Sequence, residues 1–327
     1  MAVTSMSRSS VGFGQERYNR ASGVNSNLDW CGISTTPTGT YTDASGSNWA
    51  YWIFKATGSN LVVTRSGLVD FLVVGGGASG GCSNAPFYAG GGGAGGCRVP
   101  FPGETIGAGT YAVTVGGGGA TNGGSDQQGN PGTNSSIGSL IVGLGGGAGV
   151  GRYDSGRDGG CGGGAGQWAT ASAGNGLRNR AGAGTYYQGF RGGESVTDGS
   201  FAGGGGGAGA AGQDSTGSQA SRTGGVGLVS TIISTSIATA QAVGQVSDGV
   251  LYFAGGGGSA SNTSTPLSGG AGGLGGGTRG SVSSDSGGRS DNAPANTGGG
   301  TGSADTNQGT PFAGVGGSGV VIVRTRI

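Results

Sequence analysis

From Gly75 onward the chain carries nine runs of three or more consecutive glycines, beginning at Gly75, Gly90, Gly116, Gly145, Gly162, Gly203, Gly255, Gly275 and Gly298. No other feature restricts the fold as strongly, because few ordered structures accept such runs. An α-helix is excluded, since each glycine costs about 1 kcal/mol there relative to alanine. Collagen is excluded, because the Gly-X-Y period and the proline it needs are missing. Ordinary loops would lose roughly 1–2 kcal/mol of backbone entropy per ordered residue. Extended left-handed helices with three residues per turn remain. They lack internal hydrogen bonds, yet side by side they bond to one another wherever no Cβ holds the chains apart. Residues 203–212 (GGGGGAGAAG) suit such packing, each bond contributing about 0.5–1.5 kcal/mol net.

Glycine this abundant ordinarily signals low complexity or disorder. Disorder, however, comes with high net charge and few aromatics. Here 9% of residues are charged, the net charge is +1, and apolar β-type segments recur to the last residue. The chain therefore reads as ordered, in three parts. Residues 1–27 are polar, with Arg8, Arg17 and Arg20 interleaved with Phe13 and Tyr18 and no apolar period, the pattern of an extended arm. Residues 28–74 hold only a few of the glycines and read as strands: AYWIFK (50–55), LVVTR (61–65) and LVDFLVV (68–74), separated by turn residues and resembling an antiparallel meander. Residues 75–318 form the glycine-rich part. The closing segment 319–325 (GVVIVRT) is a strand that would be an aggregation hazard if left free, so it is expected to pair with the early strands. The expected fold is all-β with irregular parts: a small sandwich or meander joined to a bundle of polyglycine II-type helices.

Near-neutral charge leaves no electrostatic footprint for nucleic acid or an anionic membrane. No apolar run approaches the roughly 20 residues of a membrane-spanning helix. Met1 to Arg20 contain no apolar h-region, so no secretory leader is expected. Cys31, Cys82, Cys97 and Cys161 form no CxxC pair. They read as buried thiols, with a Cys82–Cys97 disulfide as the alternative. No histidine exists, which removes Ser-His-Asp and Cys-His catalysis. Gly75, Gly77 and Gly80 spell GxGxxG after an apolar strand, but the residues that follow cannot form the helix that pyrophosphate binding requires. Asp154, Asp158, Glu194 and Asp198 sit in glycine-rich connections and read as solvated. No enzymatic activity, cofactor or metal is expected.

Residues 167–201 differ from their surroundings. They carry Trp168, Tyr186, Tyr187, Phe190 and Phe201 with Arg178, Arg180 and Arg191, the residue types that concentrate binding energy at recognition surfaces. Binding and simple coverage of the glycine bundle both account for this composition.

The order of blocks LVDFLVVGGG (68–77), AGGGGAGGC (89–97), GTYAVTVGGGG (109–119), GSLIVGLGGGAG (138–149), GQVSDGVLYFAGGGG (244–258) and GSGVVIVR (317–324) resembles the glycine-rich domain of tail proteins of tailed phages, notably marine cyanophages. That resemblance implies a virion-exposed tail fibre or adhesin, assembled in the host cytoplasm without a leader. A purely structural capsid or tail decoration, or a cell-surface glycine-rich protein, in either case without receptor binding, is the alternative. Residues 1–27, an arm of arginines and aromatics without a core pattern, are expected to order on a partner, which makes Phe13, Arg17, Tyr18 and Arg20 candidates for attachment to other virion proteins. Trp168, Arg178, Arg180, Tyr186, Tyr187, Phe190 and Arg191 become candidates for contact with a host glycan or outer-membrane protein. By analogy with such fibres, a homo-oligomer is expected, a trimer being the guess.

Overall fold

The computed structural model describes residues 29–84, 87–100, 104–152, 154–167, 172–176, 188–195, 202–215, 222–260, 269–282, 288–306 and 309–327. Two five-stranded sheets face each other. The first runs in the order Gly39–Thr42, Asn48–Phe54, Val320–Arg326, Asp70–Val74 and Cys97–Arg98, and the second Gly32–Ile33, Ser59–Arg65, Gly109–Thr114, Ser135–Ile137 and Ile141–Gly143. Every pairing within them is antiparallel. The C-terminal strand lies between two early ones, with Ile322 opposite Ile53 on one side and Leu72 on the other. Both of its edges are thus satisfied, as its apolar composition requires.

The three early strands do not form the expected meander. Asn48–Phe54 and Ser59–Arg65 belong to different sheets, and Asp70–Val74 returns to the first. The connection between the first two turns at Gly58 (φ 114°) and crosses from one layer to the other. The layers also draw in strands from residues 97–143, so the sandwich takes more of the chain than 28–74 and 319–325.

Alternation explains the packing. Trp52, Phe54, Phe71, Val73, Val321 and Val323 point from the first sheet toward Leu61, Val63, Val113, Ile137 and Ile141 of the second. Their neighbours Tyr51, Leu72, Val74, Val320 and Ile322 face the other way, onto Ile232, Ile233, Val243, Leu251 and Phe253. With both faces of the first sheet covered, its central strands read as unbroken apolar runs. That outer cover is a small sheet, Leu228–Val229, Val250–Phe253 and Gln245–Ser247, with one helix, Thr235–Gln241. Asp248 and Gly249, both at positive φ (50° and 74°), close its two-residue hairpin, as the primed turns demand.

Beyond the first sheet the glycine runs form a lattice whose hydrogen bonds repeat every third residue. The N–H groups of Gly90, Gly93 and Gly96 donate to the carbonyls of Val150, Gly147 and Leu144; those of Gly91 and Ala94 to Gly203 and Gly206; those of Gly92 and Gly95 to Thr301 and Gly298. One segment therefore addresses three neighbours in rotation, the signature of a three-residue helix. No glycine in the runs from Gly90, Gly116, Gly203 or Gly255 lies at positive φ, whereas Gly275, Gly276 and Gly298 do. Close approach makes the residue type obligatory: a Cβ on Gly205 would stand 2.0 Å from the Gly92 carbonyl oxygen.

All four cysteines are free and buried. Cys97 sits opposite Val74 and Cys82 opposite Ala304, at the two ends of a lattice hairpin, so a Cys82–Cys97 bridge is ruled out. Burial pushes the thiols of Cys82 and Cys161 up to about 12.

Candidate functional site

The hydrogen-bond register gives the lattice a proximal end, at the sandwich, and a distal one. From Val74 the chain runs outward to Asn84 and returns from Tyr88 to Cys97, Gly75, Ala78 and Gly81 donating to Gly96, Gly93 and Gly90. Later segments follow the same traffic. Gln167 donates its N–H to the Tyr88 carbonyl, and Ala304 donates to Gly81, so both lie distally.

Polarity separates the two ends. The proximal interior is Leu72, Val74, Val320, Ile322 and Phe253. The distal interior holds buried Ser83, Gln167, Ser281, Ser303, Asp305 and Thr306. Hydroxyls there stand in for missing backbone partners: Ser303 Oγ donates to the Ala89 carbonyl (2.6 Å) and accepts from the Ala260 N–H (2.7 Å). Asp305 is the exception. It is fully buried in the parallel pair Ala304–Thr306 with Cys82–Asn84. Among the described residues neither carboxylate oxygen has a hydrogen-bond partner, and nor does Asn84 Oδ1. Burial pushes the Asp305 carboxyl up to about 7.

The opposite pole carries the first and last described residues. Trp30 bridges to Leu68, Thr325 Oγ1 donates to the Cys31 carbonyl (3.0 Å), and the Ile327 N–H reaches Asn48. Arg324 anchors this pole. Its guanidinium is buried against Asp70 (2.9 Å), donates to Tyr41 Oη (2.7 Å) and lies over the Trp49 ring at 4.1 Å. Trp30 meets Trp49 edge-on at 4.9 Å, with Arg326 over both rings.

Of the residues singled out in the sequence, Phe13, Arg17, Tyr18, Arg20, Trp168, Arg178, Arg180, Tyr186 and Tyr187 lie outside the described residues. Phe190 and Arg191 are described. The Phe190 backbone is part of the lattice, donating to Gly207 and accepting from Gly162. Arg191 makes a two-pronged contact with Asp214 (2.6 and 2.8 Å), which joins the segments 188–195 and 212–215. The hydrogen bond raises the pKa of Arg191 and lowers that of Asp214. The described flanks also divide the aromatic segment. Gln167, before Trp168, bonds to Tyr88 at the distal end, whereas Gln188, after Tyr187, accepts from the Cys97 N–H at the proximal end. Nine residues of three-residue helix separate these two places, about 28 Å. Nothing in the sequence marked Asp305, which sits in a polar, glycine-rich stretch like many others.

The fold is thus an all-β sandwich continued by a hydrogen-bonded glycine lattice. A sequence profile of the family described as Glycine-rich domain matches residues 55–326, and the chain belongs to that family. No curated protein matches the sequence significantly.

Proposed function

We propose that this chain is a non-enzymatic virion protein of a tailed bacteriophage, a tail fibre or tail-tip adhesin that contacts the host surface. The observation that carries this reading is the polarity of the molecule. The first and last described residues, Asp29 and Ile327, lie at the sandwich pole, and the buried polar residues of the lattice lie at the other. Such a body suits attachment to a larger assembly at one end and display at the other. The arm of residues 1–27 is the proposed contact with other virion proteins. A host glycan or outer-membrane protein is the proposed distal partner. A rigid lattice is a suitable support, because binding residues are disproportionately found on loops held by a scaffold.

The engagement of Arg191 by Asp214 favours a second reading, a structural tail or capsid decoration without receptor binding. Mass spectrometry of purified particles, followed by adsorption assays with antibody fragments against this chain, separates the two. Presence in the tail with blocked adsorption supports the adhesin. Presence with undisturbed adsorption supports the decoration, and absence from particles overturns both.

A further inference from the structure

Beside the helix lies an open cleft of about 450 Å³ that the virion reading does not use. Segments distant in sequence wall it: Gly244 and Gln245 at the start of a strand, residues 276–279 with Arg279 among them, and Asp291, Asn292, Pro294 and Thr297. Its polar groups are fixed in an unusual way. Gln245 Oε1 accepts from the Gly275 N–H (2.6 Å) and the Gly276 N–H (2.9 Å). Positive φ at both glycines (106° and 94°) turns those two amides toward the same oxygen. Asn292 Oδ1 accepts from the Val315 N–H (2.8 Å). Backbone donors therefore settle which end of each carboxamide is oxygen. Both NH₂ groups are left without a hydrogen bond to any described residue, and so is the exposed carboxylate of Asp291 between them in the chain order. The Asp291 backbone is itself held, its carbonyl accepting from Thr278 Oγ1 (3.1 Å), which in turn accepts from the Gly302 N–H (2.9 Å).

The residues lining the cleft thus carry two amide donors and one carboxylate acceptor, with Arg279 beside them, on backbone held by hydrogen bonds, which is the condition for a preorganised site. A ligand that leaves them unpaired loses the full value of those bonds. An apolar ligand would do so, and a ligand of either net charge would meet a like charge in the lining, Asp291 or Arg279. A chain of hydroxyls, each both donor and acceptor, satisfies all three. Pro294 and the Cα faces of Gly276 and Gly277 supply the small apolar floor on which a sugar ring can lie. The volume falls within the ordinary range for small-molecule sites. We propose that this cleft binds a neutral saccharide of one or two rings. Without an aromatic platform among its lining residues, single-site affinity is weak, roughly millimolar. Repetition in an assembly would raise it.

The test is saturation-transfer NMR on the full-length protein with a panel of neutral methyl glycosides and disaccharides, alongside sialic acid and inorganic phosphate. Asp291→Ala and Asp291→Asn are the variants, since the side chain is exposed and makes no internal contact whose loss would unfold the chain. Saturable binding of at least one neutral sugar, weakened about tenfold or more in both variants with an unchanged melting temperature, supports the site. No binding across the panel, binding confined to the acidic ligands, or equal binding by the variants overturns it. Adsorption is not the readout, so the cleft and the virion role stand or fall separately.

Discussion

Asp305 concentrates the electrostatic tension of the molecule in one side chain. Its unfolded carboxyl titrates near 3.9, while the folded one titrates at about 7 because burial disfavours its charge. The folded state therefore holds a proton that the unfolded state releases between those values. Stability from this group is complete below about pH 4, declines as pH rises through the window to about 7, and is level beyond it. A shift of about three units corresponds to roughly 4 kcal/mol at most. Asp305→Asn keeps the shape and removes the titration. Urea denaturation at pH 4.5 and 8 is expected to show the wild type losing several kcal/mol more than the variant across that interval. Equal losses would place the proton elsewhere. Arg324 illustrates the opposite case, a buried charge fully partnered. Arg324→Met alone removes the ion-pair partner of the buried Asp70 (side chain 12% exposed) and is expected to cost about 3–5 kcal/mol. Adding Asp70→Asn should recover part of the loss, and a double variant as unstable as the single one would show that the packing of Arg324 on Trp49, not the pair, matters.

At the scale of elements, the glycine helix is what distinguishes this fold, and its requirement for glycine differs from one position to the next. Gly205 lies within the lattice, where an added Cβ would collide with the Gly92 carbonyl. Gly117 lies on an outer helix, is exposed, and has only Thr133 Oγ1 near its Cβ position, at 3.9 Å. Gly205→Ala is therefore expected to destabilise by about 1–3 kcal/mol or more, as overpacking does. Gly117→Ala is expected to be neutral or stabilising by up to about 1 kcal/mol, through the entropy of the unfolded chain. Thermal melts of the two variants check the pair, and similar losses in both would mean that glycine is needed for flexibility and not for contact. This element was legible in the sequence because elimination left one ordered form for the runs. The C-terminal strand was legible too, since VVIV cannot remain unpaired. The split of Asn48–Phe54 and Ser59–Arg65 between sheets was not. A short glycine turn between two β segments reads as a hairpin, and the competing partners, Val320–Arg326 and Gly109–Thr114, lie far along the chain. The helix Thr235–Gln241 was missed because TSIATAQ has poor intrinsic propensity. Tertiary packing of Ala238 and the Ser234 cap, which accepts from the Ile237 N–H, hold it. The cleft was invisible for a simpler reason: Gln245, Thr278 and Asp291 become neighbours only once the lattice has folded.

At the scale of the whole molecule, the two poles turn the proposed role into a directional claim. The described hydrogen bonds of the sandwich begin at Asp29, whose carbonyl accepts from the Leu68 N–H. Removing residues 1–27 leaves all of them in place. The truncated protein should fold with an unchanged melting temperature and be missing from particles, and normal incorporation would refute the arm's attachment role. The distal pole carries the complementary claim. Because the described flanks of Trp168 and of Tyr186–Tyr187, Gln167 and Gln188, lie at opposite ends of the lattice, the two aromatic sites are tested separately. If the distal end meets the host, Trp168→Ala should reduce adsorption about 30-fold or more, the effect of losing an anchor of about 2 kcal/mol. Tyr186→Ala with Tyr187→Ala should change it far less, since their flank Gln188 is tied to Cys97 beside the sandwich. Particle content of the protein is measured in parallel, to separate lost recognition from lost assembly. The reverse ranking, with intact particles, would move recognition to the proximal flank of the lattice. Equal and negligible effects would return these aromatics to covering the glycine bundle.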